Sequence, residues 1–283
     1  MPSGSKIIIV CSHLIGRARA TCEFARRLVA DGQNVSFVAP KRVHKHLEQL
    51  GKRIVEIDEF KLGGPTASRR SGLRDFLPSA RRARLREMQA HLDIGKLEQL
   101  IETEVPDLVL IDFEMHPHII AALGTGARVA LFTDIFITRP SATSPPVHVG
   151  IVPGAGQASK VRRAWAQLWL SARKKRLKRW KSTAGADYLN LLRLMAADRK
   201  VPLNRLTTRW WWQVPFAWDG LPLLIMQGRA VDFSAPPHQN MHHVGPMVPE
   251  PTPASPEDRA VLAIAEQAKS DGKRVVYITF GSL

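Results

Sequence analysis

The chain has 283 residues, with 41 Lys and Arg against 25 Asp and Glu, for a formal net charge of +16. Its 45% hydrophobic and 23% charged residues supply a buried core, which excludes general disorder, and two cysteines without a Cys-x-x-Cys pair exclude a disulfide scaffold and a cysteine-based zinc site. No apolar run approaches the roughly 20 residues of a membrane span, and residues 7–10 are too few for a signal-peptide core, so the expectation is a cytoplasmic protein.

Ile7, Ile8, Ile9 and Val10 form a continuous apolar run of strand length, as a strand covered on both faces requires. A loop through Gly16 follows, and a helix is predicted over 20–31 from Cys22, Phe24, Ala25 and Leu28, stopping at Gly32. The next strand is predicted over 34–39, which completes a βαβ unit with a right-handed crossover. Residues 69–86, rich in arginine and flanked by Gly, Pro and Ser, read as a mobile loop leading into a helix. The βα alternation then returns: helix 97–104, strand 108–111, helix 117–123 and strand 128–132. Such alternation predicts an α/β fold with a doubly wound parallel sheet, which binds ligands outside the carboxyl ends of its strands. Residues 11–17, 112–116 and 133–136 hold those places.

Between 157 and 185 stand ten Lys and Arg residues and no Asp or Glu. Val161, Trp165, Leu168, Trp169, Ala172, Leu177 and Trp180 recur there near helical spacing, so the segment reads as a basic amphipathic helix. Three readings fit: a solvated face, contact with an anionic membrane surface, and nucleic-acid binding. The last rests on charge alone, without a recognition motif. A helix over 186–195 follows, then an aromatic cluster at Trp210, Trp211, Trp212, Phe216 and Trp218, and a strand over 221–226. His238, His242 and His243 are expected at the surface. Proline-rich residues 246–256 read as an interdomain linker. A helix over 256–269 and a strand over 274–280, tipped by Gly281 and Ser282, read as the start of a second α/β domain.

Taken in order, these segments resemble the N-terminal, acceptor-binding domain of bacterial UDP-dependent glycosyltransferases of the GT-B fold, closest to the macrolide and zeaxanthin glucosyltransferase type. Residues 16–28 match the phase of the family's Gly-His-x-x-Pro segment and following helix, and 106–112 match its strand ending in an aspartate. Residues 224–233 followed by 243–246 are similar to the approach to the domain crossing, and 276–283 to the first donor-domain strand. The resemblance implies a Rossmann-like acceptor domain over 1–245 with the basic helix as an insertion, the linker over 246–256, and a truncated nucleotide-sugar domain over 257–283. It implies inverting hexosyl transfer from a nucleotide-sugar, a UDP-sugar in the family, to a hydroxyl of a lipophilic small molecule or lipid. No cofactor or metal is expected beyond that co-substrate. The chain is then the acceptor half, inactive without the missing donor domain, and peripheral on the inner membrane face if the basic helix binds lipid.

Inverting transfer needs a base for the acceptor hydroxyl and a buried carboxylate to orient it. The resemblance assigns the carboxylate to Asp112. The family's histidine falls on Arg17, which cannot act as a base near neutral pH, and its proline on Ala20. His13 is the first candidate base, with Glu114 and His116 as alternatives, while Arg17 is placed to hold an anionic acceptor. Gly16, Arg17, Glu114, His116 and Phe136 are the candidate acceptor-binding residues; Gly281 and Ser282 would meet the donor diphosphate. A non-catalytic, membrane-peripheral binding protein on the same fold is the alternative.

Overall fold

The computed structural model describes residues 4–59, 76–135, 140, 143–146, 149–152, 156–208, 217–229, 239–248 and 256–276. The strands are β1 (Lys6–Val10), β2 (Asn34–Pro40), β3 (Ile54–Ile57), β4 (Leu108–Asp112), β5 (Val129–Thr133), β6 (Leu223–Ile225) and β7 (Met241–His243). Between them run α1 (Ile15–Ala30), α2 (His44–Leu47), α3 (Pro78–Ala90), α4 (Ile94–Glu104), α5 (His116–Gly124), α6 (Ala158–Ser182), α7 (Tyr188–Asp198) and α8 (Leu203–Leu206), and α9 (Pro256–Ser270) comes last.

All seven strands join one parallel sheet in the order β3-β2-β1-β4-β5-β6-β7. The order reverses between β1 and β4, and at the carboxyl ends of such a switch point sheets of this kind bind their ligands. Both faces of the sheet are covered, and the strands show it residue by residue. Ile8 and Val10 enter one core with Val109, Ile111 and Leu131, packed under α4, α5 and α7. Ile7 and Ile9 enter the other with Leu110, Ala130 and Phe132, packed under α1 and α2. Two buried faces leave no polar phase in the strand, which is why the central strands read as unbroken apolar runs.

Helix α1 buries Ala18, Thr21, Cys22 and Ala25, spaced three and four apart, against β1 and β2. It starts at Ile15, five residues before the start expected from the apolar pattern, so Arg17 lies in its first turn. Gly32, with φ of 82°, ends it in the left-handed conformation that glycine adopts at little cost. The Cys11 and Cys22 thiols are buried and free, and burial, with Asp112 next in effect, pushes the Cys11 thiol up and out of reactive range.

Several expectations need correction. β3, β7 and the short helices α2 and α8 were not legible in the sequence; β7 has three residues, two of them histidine. His242 is exposed, but His243 is half-buried within β7. Residues 274–276 are exposed and outside any strand, and 277–280, Gly281 and Ser282 lie outside the described residues. So do Phe136, Trp210–Trp212, Phe216, His238, most of the 246–256 linker, and the arginines at 69, 70 and 74.

Val105, at the end of α4, has φ of 45° and is 74% exposed. A β-branched residue is strained there, and its side chain gains little burial in exchange. Val105→Gly is expected to raise stability by about 1 kcal/mol, read as a higher urea midpoint at unchanged slope.

Candidate active site

At the carboxyl ends of β1, β4 and β5 one guanidinium gathers three carboxylates. Arg17 Nη1 donates to Asp112 Oδ1 at 2.9 Å and Oδ2 at 3.0 Å, and to Glu114 Oε2 at 2.7 Å. Its Nε pairs with Asp134 Oδ1 at 3.0 Å. Chain topology places all four: Arg17 in the first turn after β1, Asp112 at the last position of β4, Glu114 in the turn to α5, and Asp134 just past β5. Asp112 is fully buried, the Arg17 side chain is 7% exposed, and those of Glu114 and Asp134 are 13% and 23% exposed. The cluster is therefore nearly dry at its base and open to solvent through Glu114 and Asp134.

Asp112 is fixed from two sides, because its Oδ1 also accepts the backbone N–H of Glu114 at 3.1 Å. Burial pulls the Arg17 guanidinium down, but the Asp112 and Glu114 charges outweigh it and its pKa is raised. Burial raises Glu114 and Asp134 above their ordinary range, and Arg17 only partly offsets it. Three carboxylates against one guanidinium leave the cluster net negative when all are ionised. Arg17, expected to hold an anionic acceptor, has its charge paired with Asp112, Glu114 and Asp134.

His13 is half-buried in the loop after β1, and no hydrogen bond joins it to Asp112 or Glu114 among the described residues. Gly16 is exposed in the first turn of α1. His116, read from sequence as a site residue, instead lies in the core. It is fully buried, its Nδ1 accepts from Trp218 Nε1 at 2.7 Å, and its ring tilts against Trp218 and Tyr188. Burial lowers its pKa to about 3, so the ring is neutral and enclosed. Asp134 was not singled out, although it falls within the carboxyl-end stretch 133–136; an acidic residue directly after a buried strand was the available signal. Among the described residues no group of three or more His, Cys, Asp and Glu side chains could hold a metal ion.

No protein-family model matches the chain, and no curated protein matches it. Solved structures do. The glycotransferase of kitacinnamycin superposes with a TM-score of 0.54 at 17% identity, over 89% of this chain and 54% of that one. The Streptomyces sp. SF2575 glycosyltransferase SsfS6 matches at 12% identity and a TM-score of 0.44, over 88% of this chain and 56% of that one. Glycosyltransferase VinC in complex with dTDP matches at 11% identity and 0.43, over 83% and 51%. The chain thus spans about half the length of the structures it matches. The likeness, with the seven-stranded parallel sheet, establishes the architecture: an α/β, Rossmann-like domain of the GT-B glycosyltransferase fold.

Proposed function

We propose that this chain is the acceptor-binding half of an inverting glycosyltransferase that moves a hexose from a nucleotide-sugar, such as a UDP-sugar, to a hydroxyl of a lipophilic acceptor. The observation that carries the reading is the Asp112 carboxylate, buried at the β1/β4 switch point and clasping a basic side chain from the first turn of α1. Inverting transfer needs such a carboxylate to fix its proton acceptor. Here the basic partner is a guanidinium, which holds its proton near neutral pH, so proton removal falls to another group. Glu114 fits best: it is partly open to solvent, held by Arg17 at 2.7 Å, and raised in pKa by burial, which makes it a stronger base than an exposed glutamate. His13 is the other candidate, in the adjoining loop. A net negative cluster favours neutral or amine-bearing acceptors over anionic ones. In this reading residues 1–245 form the acceptor domain, 246–256 the linker and 257–283 the beginning of the donor domain.

A second reading keeps the fold without the transfer: a non-catalytic, membrane-peripheral binding protein. Arg17 favours it, since a guanidinium locked between carboxylates makes a stable structural ion network whether or not any proton moves.

The readings separate in one experiment on the full gene product. Incubation with UDP-glucose and a hydroxylated macrolide or flavonoid, read by mass spectrometry, is expected to give a glycoside. Glu114→Gln should slow its formation by about 10²–10⁴-fold, with acceptor binding by calorimetry little changed. Acceptor binding without any glycoside selects the binding protein. No binding of any hydroxylated acceptor removes both.

A further inference from the structure

Helix α6 buries side chains only near its N-terminus. Val161, Ala164 and Trp165 pack into the body, and Trp165 Nε1 donates to the Ser144 carbonyl at 2.8 Å. From 173 to 182 every residue is exposed, and seven of those ten are Lys or Arg. Cations near a helix C-terminus complement its dipole, which supports a helix there with little burial.

From Trp169 onward the helix carries apolar side chains that the body covers only in part. Trp169, Leu170, Leu177 and Trp180 are 42%, 49%, 54% and 38% exposed. At about 100° per residue they share one stripe of the helix, which adjoins the buried stripe of Val161, Ala164 and Trp165 on its Trp165 side. Arg173 lies 5.3 Å over the Trp169 ring. Beside this stripe the residues leading into α3 add Phe76, exposed and edge-on to Trp180 at 6.3 Å, and exposed Leu77. A cleft of about 790 Å³ opens alongside, lined by Arg81, Arg82, Leu85, Trp180 and Leu194. Gly185 lets its walls close up, because a Cβ there would meet Trp180 Nε1 at 2.9 Å and Arg81 Cδ at 3.1 Å. Arg81 and Arg82 form no ion pair among the described residues.

We propose that this face is a docking surface for an anionic phospholipid bilayer. Trp169, Leu170, Leu177 and Trp180 enter the boundary between headgroups and acyl chains, the flanking cations meet the surface charge, and the cleft between Arg81 and Arg82 takes a headgroup phosphate. The aliphatic residues decide between partners: Leu77, Leu170 and Leu177 gain nothing from a nucleic-acid backbone, whereas a bilayer buries them. No helix among the described residues is long and apolar enough to cross a membrane, so the attachment is peripheral. The surface shares no residue with the Arg17 cluster, and its assay needs neither sugar nor acceptor, so it stands or falls separately from the transferase reading.

The test is co-sedimentation of the 283-residue chain with phosphatidylcholine vesicles, with and without phosphatidylglycerol. Partitioning is expected to favour the anionic vesicles by at least about a hundredfold and to weaken as salt rises. The triple variant Lys174→Gln, Lys175→Gln, Lys178→Gln should lose about a hundredfold, with the circular dichroism melt little changed because none of the three lies in the last turn of α6. Trp169→Ser with Leu170→Ser should lose on the order of tenfold, as should Arg81→Gln with Arg82→Gln. Equal pelleting with both vesicle types, or triple-variant binding equal to wild type, overturns the proposal. Tighter binding to duplex RNA than to anionic vesicles at one ionic strength overturns it in favour of nucleic acid.

Discussion

Replacing Arg17 with methionine is expected to destabilise the chain by about 3–5 kcal/mol at neutral pH, with the loss shrinking as the solution is acidified. Methionine fills much of the same volume, so the effect is electrostatic rather than a cavity. What remains is Asp112, fully buried, with Glu114 and Asp134 close by and no cation among the three. Burial already raises Glu114 above 4.5 and Asp134 above 3.8 with Arg17 present; without it both rise further. An acid whose folded pKa exceeds its unfolded value binds more protons folded than unfolded. Its stabilising contribution is present at low pH and is lost as pH rises through the folded value. The variant therefore approaches wild-type stability as the solution is taken down toward the ordinary carboxylate range, and Glu114→Gln in the same background recovers part of the loss at neutral pH. Urea unfolding of the three proteins across that range checks it. A loss independent of pH would show that Arg17 acts by packing, with no role for the stranded carboxylates.

That cluster also shows where the sequence was legible and where it was not. Asp112 could be placed because Val109, Leu110 and Ile111 are apolar on consecutive positions, which only a strand covered on both faces demands, and the carboxylate ends that run. The same logic located β1 and β5. Arg17 was flagged only by its misfit with a family pattern, and its structural meaning lies 95 residues away in Asp112 and 97 away in Glu114. Because Arg17 and Arg19 interrupt the apolar period, α1 was expected to begin later than it does. Arg17 enters the helix because carboxylates from two other strand ends neutralise it, and no local pattern encodes that. His116 failed in the opposite direction. A histidine next to a strand end and a helix start reads as a site residue, but Trp218, 102 residues on, closes over it and donates to its Nδ1. β7 was beyond reach for a simpler reason: three residues at a sheet edge carry too little periodicity to register.

His116 and His118 make the fold acid-sensitive, and stability is expected to fall by several kcal/mol as pH drops from 6.5 toward 4. Both rings are buried on α5. Burial lowers His116 to about 3. It lowers His118 to about 4, with the Asp93 charge pulling weakly the other way. Unfolded, each ring takes a proton near 6.5, so below that pH the unfolded chain binds protons that the folded chain refuses. The contribution is complete above 6.5 and drains away as pH falls through the folded values. Glu114 and Asp134 work against this slope, because their raised values favour the folded state in acid. The histidines should prevail, since both are fully enclosed while the two carboxylates remain partly solvated and partly neutralised by Arg17. His118→Leu is expected to flatten the urea midpoint between 6.5 and about 4. His116→Gln, whose amide oxygen can still accept from Trp218 Nε1, should flatten it down to about 3 while keeping most of the stability at neutral pH. If both variants track wild type across that range, neither ring stays neutral by burial, and the acid response must arise at the carboxylates instead.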